Sequence, residues 1–191
     1  NNAASKGGAL WAGAKGLVTV NNGTFSNNTA ANGGAVYLDT SLMGGNASPA
    51  RVVVTGNSVF EDNQATTGEG GAIYVADTTS AGTGATSLTM TGATLSGNKA
   101  LNKGGALATD ATSPNLLIDC TNCVFDANQS GYNFTGTSYP GGGAVAIQNG
   151  NGYSNGDPDA SKIVFTGCTF TDNLGAGTGG AVDIRSCSYV K

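Results

Sequence analysis

Three carboxylates are the residues best suited to catalysis, because Asp39, Asp77 and Asp110 follow the same short apolar pattern in successive parts of the chain. Enzymes that cleave polysaccharides use clustered carboxylates as general acids and bases, often beside Arg or Lys. The only two arginines, Arg51 and Arg185, lie far apart in the sequence, and histidine is absent. Turn capping and solubility explain the aspartates better than catalysis does, so we expect the protein not to be an enzyme.

The loop at residues 149–159 is rich in Asn, Gly and Asp, which offer the oxygen ligands that Ca²⁺ prefers. It contains two carboxylates, Asp157 and Asp159, and lacks the ordered spacing of a calcium-binding loop. An ordinary Asn/Gly/Asp turn is the better interpretation. We therefore expect neither a metal nor any other cofactor.

Composition excludes two further classes of protein. Of the 191 residues, 32 are glycine and 10% are charged, with a formal net charge of −4. Because Lys and Arg are scattered, we expect no nucleic-acid partner. No stretch approaches the roughly 20 apolar residues that span a bilayer, so we expect no direct insertion into a membrane.

Two short phrases alternate along the whole chain. Successive Gly-Gly-Ala phrases begin 26, 37, 34, 38 and 37 residues apart, with no helical pattern between them. Repetition at this spacing indicates a solenoid. The Gly-Gly-Ala phrases begin at Gly7, Gly33, Gly70, Gly104, Gly142 and Gly179, and the Phe-x-x-Asn phrases are Phe25/Asn28, Phe60/Asn63, Phe125/Asn128 and Phe170/Asn173, with Leu95/Asn98 as a variant.

Each repeat is expected to contain three short strands. Apolar residues alternate with variable ones after the glycine pair, as in Ile73-Tyr74-Val75, which is typical of a half-buried strand. Two more strands follow, and the last carries the recurring Phe. Such strands, pairing with their equivalents about 4.8 Å away, describe the coils of a parallel β-helix. We expect an all-β solenoid of about five to six coils, with residues 1–191 as one domain that could be a fragment or repeat unit of a longer solenoid.

The recurring asparagines are expected to be structural. Each side-chain amide would lie inside a turn and bond the next asparagine along the axis, as in the amide ladders of stacked sheets. The glycine pair precedes a strand and not a helix, which argues against a phosphate-binding loop. The predicted ladder consists of Asn28, Asn63, Asn98, Asn128 and Asn173.

Four cysteines, Cys120, Cys123, Cys168 and Cys187, fit an oxidising compartment without proving one. Cys123 and Cys168 each precede a recurring Phe by two residues, so neighbouring coils should bring them within disulfide range. A Cys123–Cys168 disulfide is slightly favoured over buried, stacked thiols. Cys120 and Cys123 form a Cys-x-x-Cys, but on a strand and without a second pair this is weak evidence for redox chemistry or zinc.

Three aromatic residues, Trp11, Tyr37 and Tyr74, occupy the outward position of the first strand in consecutive coils. An exposed aromatic ladder of this kind could stack on sugar rings or bury against a partner. The alternative is a stripe covered by the protein's own loops. The three residues are the candidate contact face.

Five Asn-x-Ser/Thr sequons mark candidate glycosylation sites. Together with the polar, weakly charged surface they favour a secreted glycoprotein if the source is a eukaryote. The acceptors are Asn22, Asn27, Asn46, Asn128 and Asn133.

The alternating Gly-Gly-Ala-[Ile/Leu/Val] and Phe-x-x-Asn phrases resemble the repeats of the chlamydial polymorphic membrane proteins over essentially the whole chain. This resemblance implies a right-handed parallel β-helix at the cell surface or in the extracellular space, of the kind that autotransporter passengers use as an adhesive stalk.

These observations favour a non-enzymatic extracellular structural protein, a stalk or a subunit that stacks end to end into a filament. Uncapped β-helix ends expose strand edges, which recruit further strands. The alternatives are an adhesin or glycan-binding passenger with a host or cell-surface ligand, and a polysaccharide-active enzyme.

Overall fold

A computed structural model describes residues 5–40, 50–77, 86–111, 116–133, 135, 140–149, 162–185 and 189–190. Within these ranges the backbone forms strands and turns, and no helix is present. The described residues therefore include no helix with the length and apolarity to cross a membrane. The all-β class predicted from the sequence is confirmed.

The strands follow one another in five coils of four strands each, and the described part of a sixth coil adds two more. Coil 1 contains β1 (Leu10–Ala12), β2 (Leu17–Asn21), β3 (Thr24–Ser26) and β4 (Thr29–Ala30); coil 2 contains β5 (Val36–Asp39), β6 (Arg51–Thr55), β7 (Val59–Glu61) and β8 (Gln64–Ala65); coil 3 contains β9 (Ile73–Asp77), β10 (Thr86–Thr91), β11 (Thr94–Ser96) and β12 (Lys99–Ala100). Coil 4 contains β13 (Leu107–Ala111), β14 (Leu116–Thr121), β15 (Val124–Asp126) and β16 (Gln129–Ser130); coil 5 contains β17 (Val145–Asn149), β18 (Lys162–Thr166), β19 (Thr169–Thr171) and β20 (Leu174–Gly175); coil 6 contains β21 (Val182–Arg185) and β22 (Tyr189–Val190).

Equivalent strands of successive coils pair in parallel and build four sheets along the axis. The orders are β1-β5-β9-β13-β17-β21, β2-β6-β10-β14-β18-β22, β3-β7-β11-β15-β19 and β4-β8-β12-β16-β20. Parallel pairing between elements that are one coil apart is the topology of a parallel β-helix, as the repeats predicted. The prediction of three strands per coil missed the fourth, because a two-residue strand is too short to show an alternating pattern.

The core is a continuous apolar column inside the coils. Strand register places Phe25 beside Phe60 and Phe125 beside Phe170, with each pair of rings stacked at 4.8 Å between centroids. Leu95 lies between the two pairs and is fully buried, so it continues the column without a gap. The recurring Phe therefore stabilises contact between coils as well as within each coil.

The glycine pair is required where each coil enters its first strand, as Gly70 and Gly71 illustrate. Gly70 has φ +66, which side chains rarely adopt, and a Cβ there would collide with the carbonyl of Ile73. A Cβ on Gly71 would collide with the carbonyl oxygen of Gly105 in the next coil. The first glycine therefore forms the turn, and the second allows neighbouring coils to approach.

Candidate functional site

The asparagine ladder runs through all five complete coils. In coils 1 to 4, the Asn donates from its backbone N–H and from Nδ2 to the Oδ1 of the Asn in the following coil, and the four Nδ2–Oδ1 distances are 2.8 to 3.0 Å. From coil 2 onward, Nδ2 also donates to the backbone carbonyl of the recurring Phe or Leu in the preceding coil. The predicted ladder of Asn28, Asn63, Asn98, Asn128 and Asn173 is thus present, and its Asn-to-Asn hydrogen bonds all point toward the following coil.

The two ends of this ladder carry complementary groups. At coil 1, no donor among the described residues reaches Asn28 Oδ1. At coil 5, Asn173 Nδ2 donates to Phe125 O at 2.8 Å, but within the same part of the chain its backbone N–H and second amide hydrogen have no acceptor. One end of the stack therefore offers an acceptor, and the other offers donors.

The aromatic contact face is not an exposed ladder. Tyr37 and Tyr74 are buried, with ring centroids 5.2 Å apart, and they pack with Ala108 and Ala76. The glycine turn of coil 2 packs closely against the next coil, since a Cβ on Gly33 would come within 3.2 Å of Tyr74 Cβ. Burial raises the pKa of both phenols. Only Trp11 matches the predicted exposure among the three, with 54% of its surface accessible.

The three aspartates do not line up in one row. Strand register places Asp39 and Asp110 on either side of Ala76, and Asp77 lies one position further along, beside Ala111. Asp39 is buried and forms an ion pair with Lys6 at 2.6 Å, whereas Asp110 is exposed. A catalytic carboxylate row of the kind the sequence allowed is therefore absent from these three positions.

The sequence interpretation missed a set of polar side chains at the position just before the glycine pair. Lys6 accompanies Asp39 and lies 4.9 Å from the Tyr37 ring centroid, so the amine is held above the aromatic stripe. In coils 3 to 5, Lys103 forms an ion pair with Glu69 at 3.6 Å and donates to Gln148 Oε1. Burial raises the pKa of Glu69, and Lys103 partly opposes this effect. The repeated position before Gly-Gly was the signal that could have revealed these residues.

Three of the cysteines lie in the described ranges, and all three are thiols. The expected Cys123–Cys168 disulfide is not formed in this structure. The two residues are stacked thiols instead, which was the alternative to the disulfide. Both residues occupy the position that Ser58 fills in coil 2, where Ser58 Oγ accepts the backbone N–H of Gly23 at 3.1 Å. Cys187 lies outside the described residues.

One predicted glycosylation site is wrong, because Asn128 is fully buried and both its amide hydrogens are bonded. Asn22, Asn27 and Asn133 are exposed and have left-handed backbone angles at turns, with φ of 50°, 54° and 56°. These three remain accessible acceptors, and Asn46 lies outside the described residues.

The 150–159 part of the loop that was weighed for Ca²⁺ also lies outside the described residues. Among the described residues, no three acidic, Cys or His side chains are grouped to hold a metal ion.

The fold and the internal ladder define the protein as a parallel β-helix solenoid. The family model for the Chlamydia polymorphic membrane protein repeat matches residues 22–39 and 54–76. Each matched segment contains one Phe-x-x-Asn and one Gly-Gly-Ala phrase. The chain is thus a β-helix protein, and the two matched segments resemble the repeat of the chlamydial polymorphic membrane proteins. No curated protein and no solved structure matches it.

Proposed function

We propose that this chain is a non-enzymatic structural protein of the cell surface, a rod that lengthens by adding coils at its ends. The one-directional asparagine ladder is the observation that carries this proposal. A coil added at either end would meet the groups that continue the ladder, whichever chain supplied it.

The rod role is supported by how the polar side chains are used. Lys103 contacts partners in coils 3 and 5 from its own place in coil 4, and Lys6 bonds Asp39 in the next coil. These contacts join coils and add to the amide ladder, so the polar groups stiffen the stack along its axis.

End-to-end growth is supported by the side chains at the two ends. Leu17 in coil 1 and Leu174 in coil 5 are 69% and 57% exposed. Phe25 and Phe170 are partly exposed, although their equivalents in inner coils are fully buried. A further coil added in the same orientation would cover apolar surface at either end, and one that continued the sheets of β19 and β20 would supply an acceptor for the open donors of Asn173.

Placement at the cell surface rests on the repeat family, because the family model that matches residues 22–39 and 54–76 describes a repeat of the Chlamydia polymorphic membrane proteins. Immunogold labelling of source cells with an antibody to this chain tests that placement directly. We expect label on the outside of intact cells. Label confined to the cell interior would contradict the proposal.

Electron microscopy of the purified chain over a range of concentrations tests growth of the rod. We expect filaments with an axial repeat on the order of 25 Å, which is about five coils at the spacing of paired strands. Short particles that stay monodisperse at every concentration would rule out end-to-end growth.

A pair of charge substitutions locates the growing end. Leu174→Asp places a charge beside the open edge of coil 5, and it should shorten or abolish filaments, since edge charges oppose strand addition. Val124→Asp is the matched control because Val124 is 36% exposed but lies on β15 in an inner coil. Equal loss of filaments in both variants would show that association occurs through the sides of the rod.

A further inference from the structure

Three thiols meet near the turn that follows the second strand of coils 4 and 5. Cys120 lies on β14, Cys123 follows it in the turn, and Cys168 is the counterpart of Cys123 in coil 5. Cys168 Sγ lies 3.2 Å from Cys120 O. Cys120 and Cys123 are fully buried, whereas Cys168 is partly exposed. Solvent therefore reaches one sulfur, and two more lie behind it.

The spacing of the coils places Cys123 and Cys168 within bonding distance of each other. Val124 pairs with Thr169, and Thr169 N–H donates to Cys123 O at 2.9 Å, so the two cysteines are adjacent across the β15–β19 pair. Adjacent strands lie about 4.8 Å apart. That separation falls inside the Cα–Cα range of roughly 4.4–6.8 Å that disulfides adopt.

Each sulfur also replaces the hydroxyl that Ser58 supplies in coil 2. The backbone N–H of Ala93 in coil 3 lies beside Cys123 Sγ, and that of Cys123 in coil 4 lies beside Cys168 Sγ. The N–H of Gly23 in coil 1 occupies the equivalent place and donates to Ser58 Oγ at 3.1 Å. Serine is therefore a conservative replacement for either cysteine, because it preserves this contact between coils.

The hydrogen bonds give the three thiols different reactivity. A hydrogen bond from the Cys120 thiol lowers the pKa of Cys123 to about 7, and burial opposes this while the N–H of Ala93 adds to it. The same bond raises the pKa of Cys120, which keeps its proton, and burial raises the pKa of Cys168. Cys123 is accordingly the strongest nucleophile of the three near neutral pH.

We propose that Cys123 and Cys168 are a thiol pair that a small disulfide oxidant converts into a covalent link between coils 4 and 5. Cys168 reacts first because it is the accessible sulfur, and Cys123 then resolves the product. Cys120 is a positioning residue, which donates its thiol hydrogen to Cys123 and forms no bond itself.

The reaction proceeds by two thiol–disulfide exchanges. The Cys168 thiolate attacks one sulfur of the oxidant RSSR, forms a mixed disulfide and releases RS⁻. The Cys123 thiolate then attacks Cys168 Sγ, forms the Cys123–Cys168 bond and releases a second RS⁻. The two protons lost by the cysteines convert both RS⁻ ions to RSH, so the protein loses two electrons and the oxidant gains them.

Glutathione disulfide is the probe for this reaction. The folded chain carrying Cys187→Ser, which removes the remaining thiol, is incubated with it and analysed by intact mass and peptide mapping. We expect a mass loss of two hydrogens, a linked Cys123–Cys168 peptide and no accumulated glutathione adduct. A linked Cys120–Cys123 peptide, or no reaction in the folded protein, would overturn the proposal.

Two variants separate the roles of the sulfurs. With Cys123→Ser, the glutathione adduct on Cys168 should persist because nothing resolves it. With Cys120→Ala, which removes the donor that a serine would keep, the link should still form, at a rate lower by on the order of tenfold, because Cys123 loses its main hydrogen-bond donor. An adduct that also persists with all three cysteines present would show that Cys123 does not resolve it.

A third variant keeps the test valid if Cys123→Ser does not fold. Cys168→Ser should give neither adduct nor link, because the two remaining sulfurs are buried. Rapid modification of folded Cys168→Ser at Cys123 would contradict the order of attack. Circular dichroism and thermal unfolding establish the folded state of each variant before oxidation.

Discussion

Coils 3 and 5 are built from equivalent phrases, with Leu95 in place of the Phe in coil 3, but their side chains lie in different surroundings. In coil 3, Leu95 and Asn98 are fully buried, and the amide of Asn98 is bonded on both sides. In coil 5, Phe170 and Asn173 are partly exposed, and the described residues supply bonds to Asn173 from one side. The comparison shows that burial in this fold comes from neighbouring coils, because one coil alone cannot enclose its apolar face.

The largest expected difference is between the inner and outer phenylalanines. Phe125→Ala should lower the free energy of unfolding by about 4 kcal/mol, because it removes a fully buried ring from the stack. Phe170→Ala should cost about half as much, since one side of that ring is open. Denaturant unfolding monitored by circular dichroism measures both values. Equal losses of unfolding free energy in the two variants would mean that another chain covers coil 5 in solution. That result would contradict the difference in burial between inner and outer coils of a monomer.

The second glycine of the repeated pair provides a sharper contrast. A Cβ on Gly105 would collide with the carbonyl oxygen of Gly143, whereas a Cβ on Gly180 would meet nothing within 4 Å. Gly105→Ala should therefore destabilise the protein by about 3 kcal/mol through overpacking, and Gly180→Ala should change stability little. Thermal unfolding of the two variants tests this, and a tolerated Gly105→Ala would show that the coils separate more easily than the structure implies.

The amide ladder should show a smaller dependence on position. Asn98→Ala leaves the donors of Asn63 and the carbonyl of Phe60 without partners inside the protein, at a cost of about 2 kcal/mol. Asn173→Ala should cost about 1 kcal/mol, because water reaches the groups around it. Amide hydrogen exchange at Asn63 offers a local readout. Unchanged protection there in Asn98→Ala would contradict a role for the ladder in holding adjacent coils together.

The smallest expected effect concerns Glu69 and pH. Its pKa is raised in the folded protein above the ordinary value of a glutamate side chain, chiefly by burial, so the folded state holds the proton more tightly than the unfolded state does. Stability from this group is therefore fully present below the unfolded pKa and is lost as pH rises through the folded pKa. Glu69→Gln mimics the protonated form, so its stability relative to the parent should increase as pH rises from 4 to 7.

Glu61→Gln is the control for that measurement, because Glu61 is exposed on β7 and lies away from Lys103. Unfolding curves at several pH values, taken on the parent and both variants, give the comparison. A relative stability of Glu69→Gln that stays constant with pH, or falls as pH rises, would contradict the assigned direction.

Much of this fold could be predicted from the sequence because the repeats themselves encode it. The spacing of Gly-Gly-Ala and Phe-x-x-Asn determined the coil, the strand order and the asparagine ladder, since equivalent residues of stacked coils must align once the strands pair in register. The role of the glycine positions could also be predicted from the sequence. Only glycine tolerates the positive φ of the turn at Gly70 and the close approach of the next coil at Gly71.

Only the tertiary structure decided which side chains meet across the irregular parts of the coils. It buried Tyr37 and Tyr74 against each other, removed Asn128 from the accessible sequons, and joined Lys103 to one partner in coil 3 and another in coil 5. It also brought Cys120 to the pair formed by Cys123 and Cys168. Repeat spacing aligns residues along the axis, but contacts made by turns and long side chains depend on loop paths that vary from coil to coil and that no period in the sequence records.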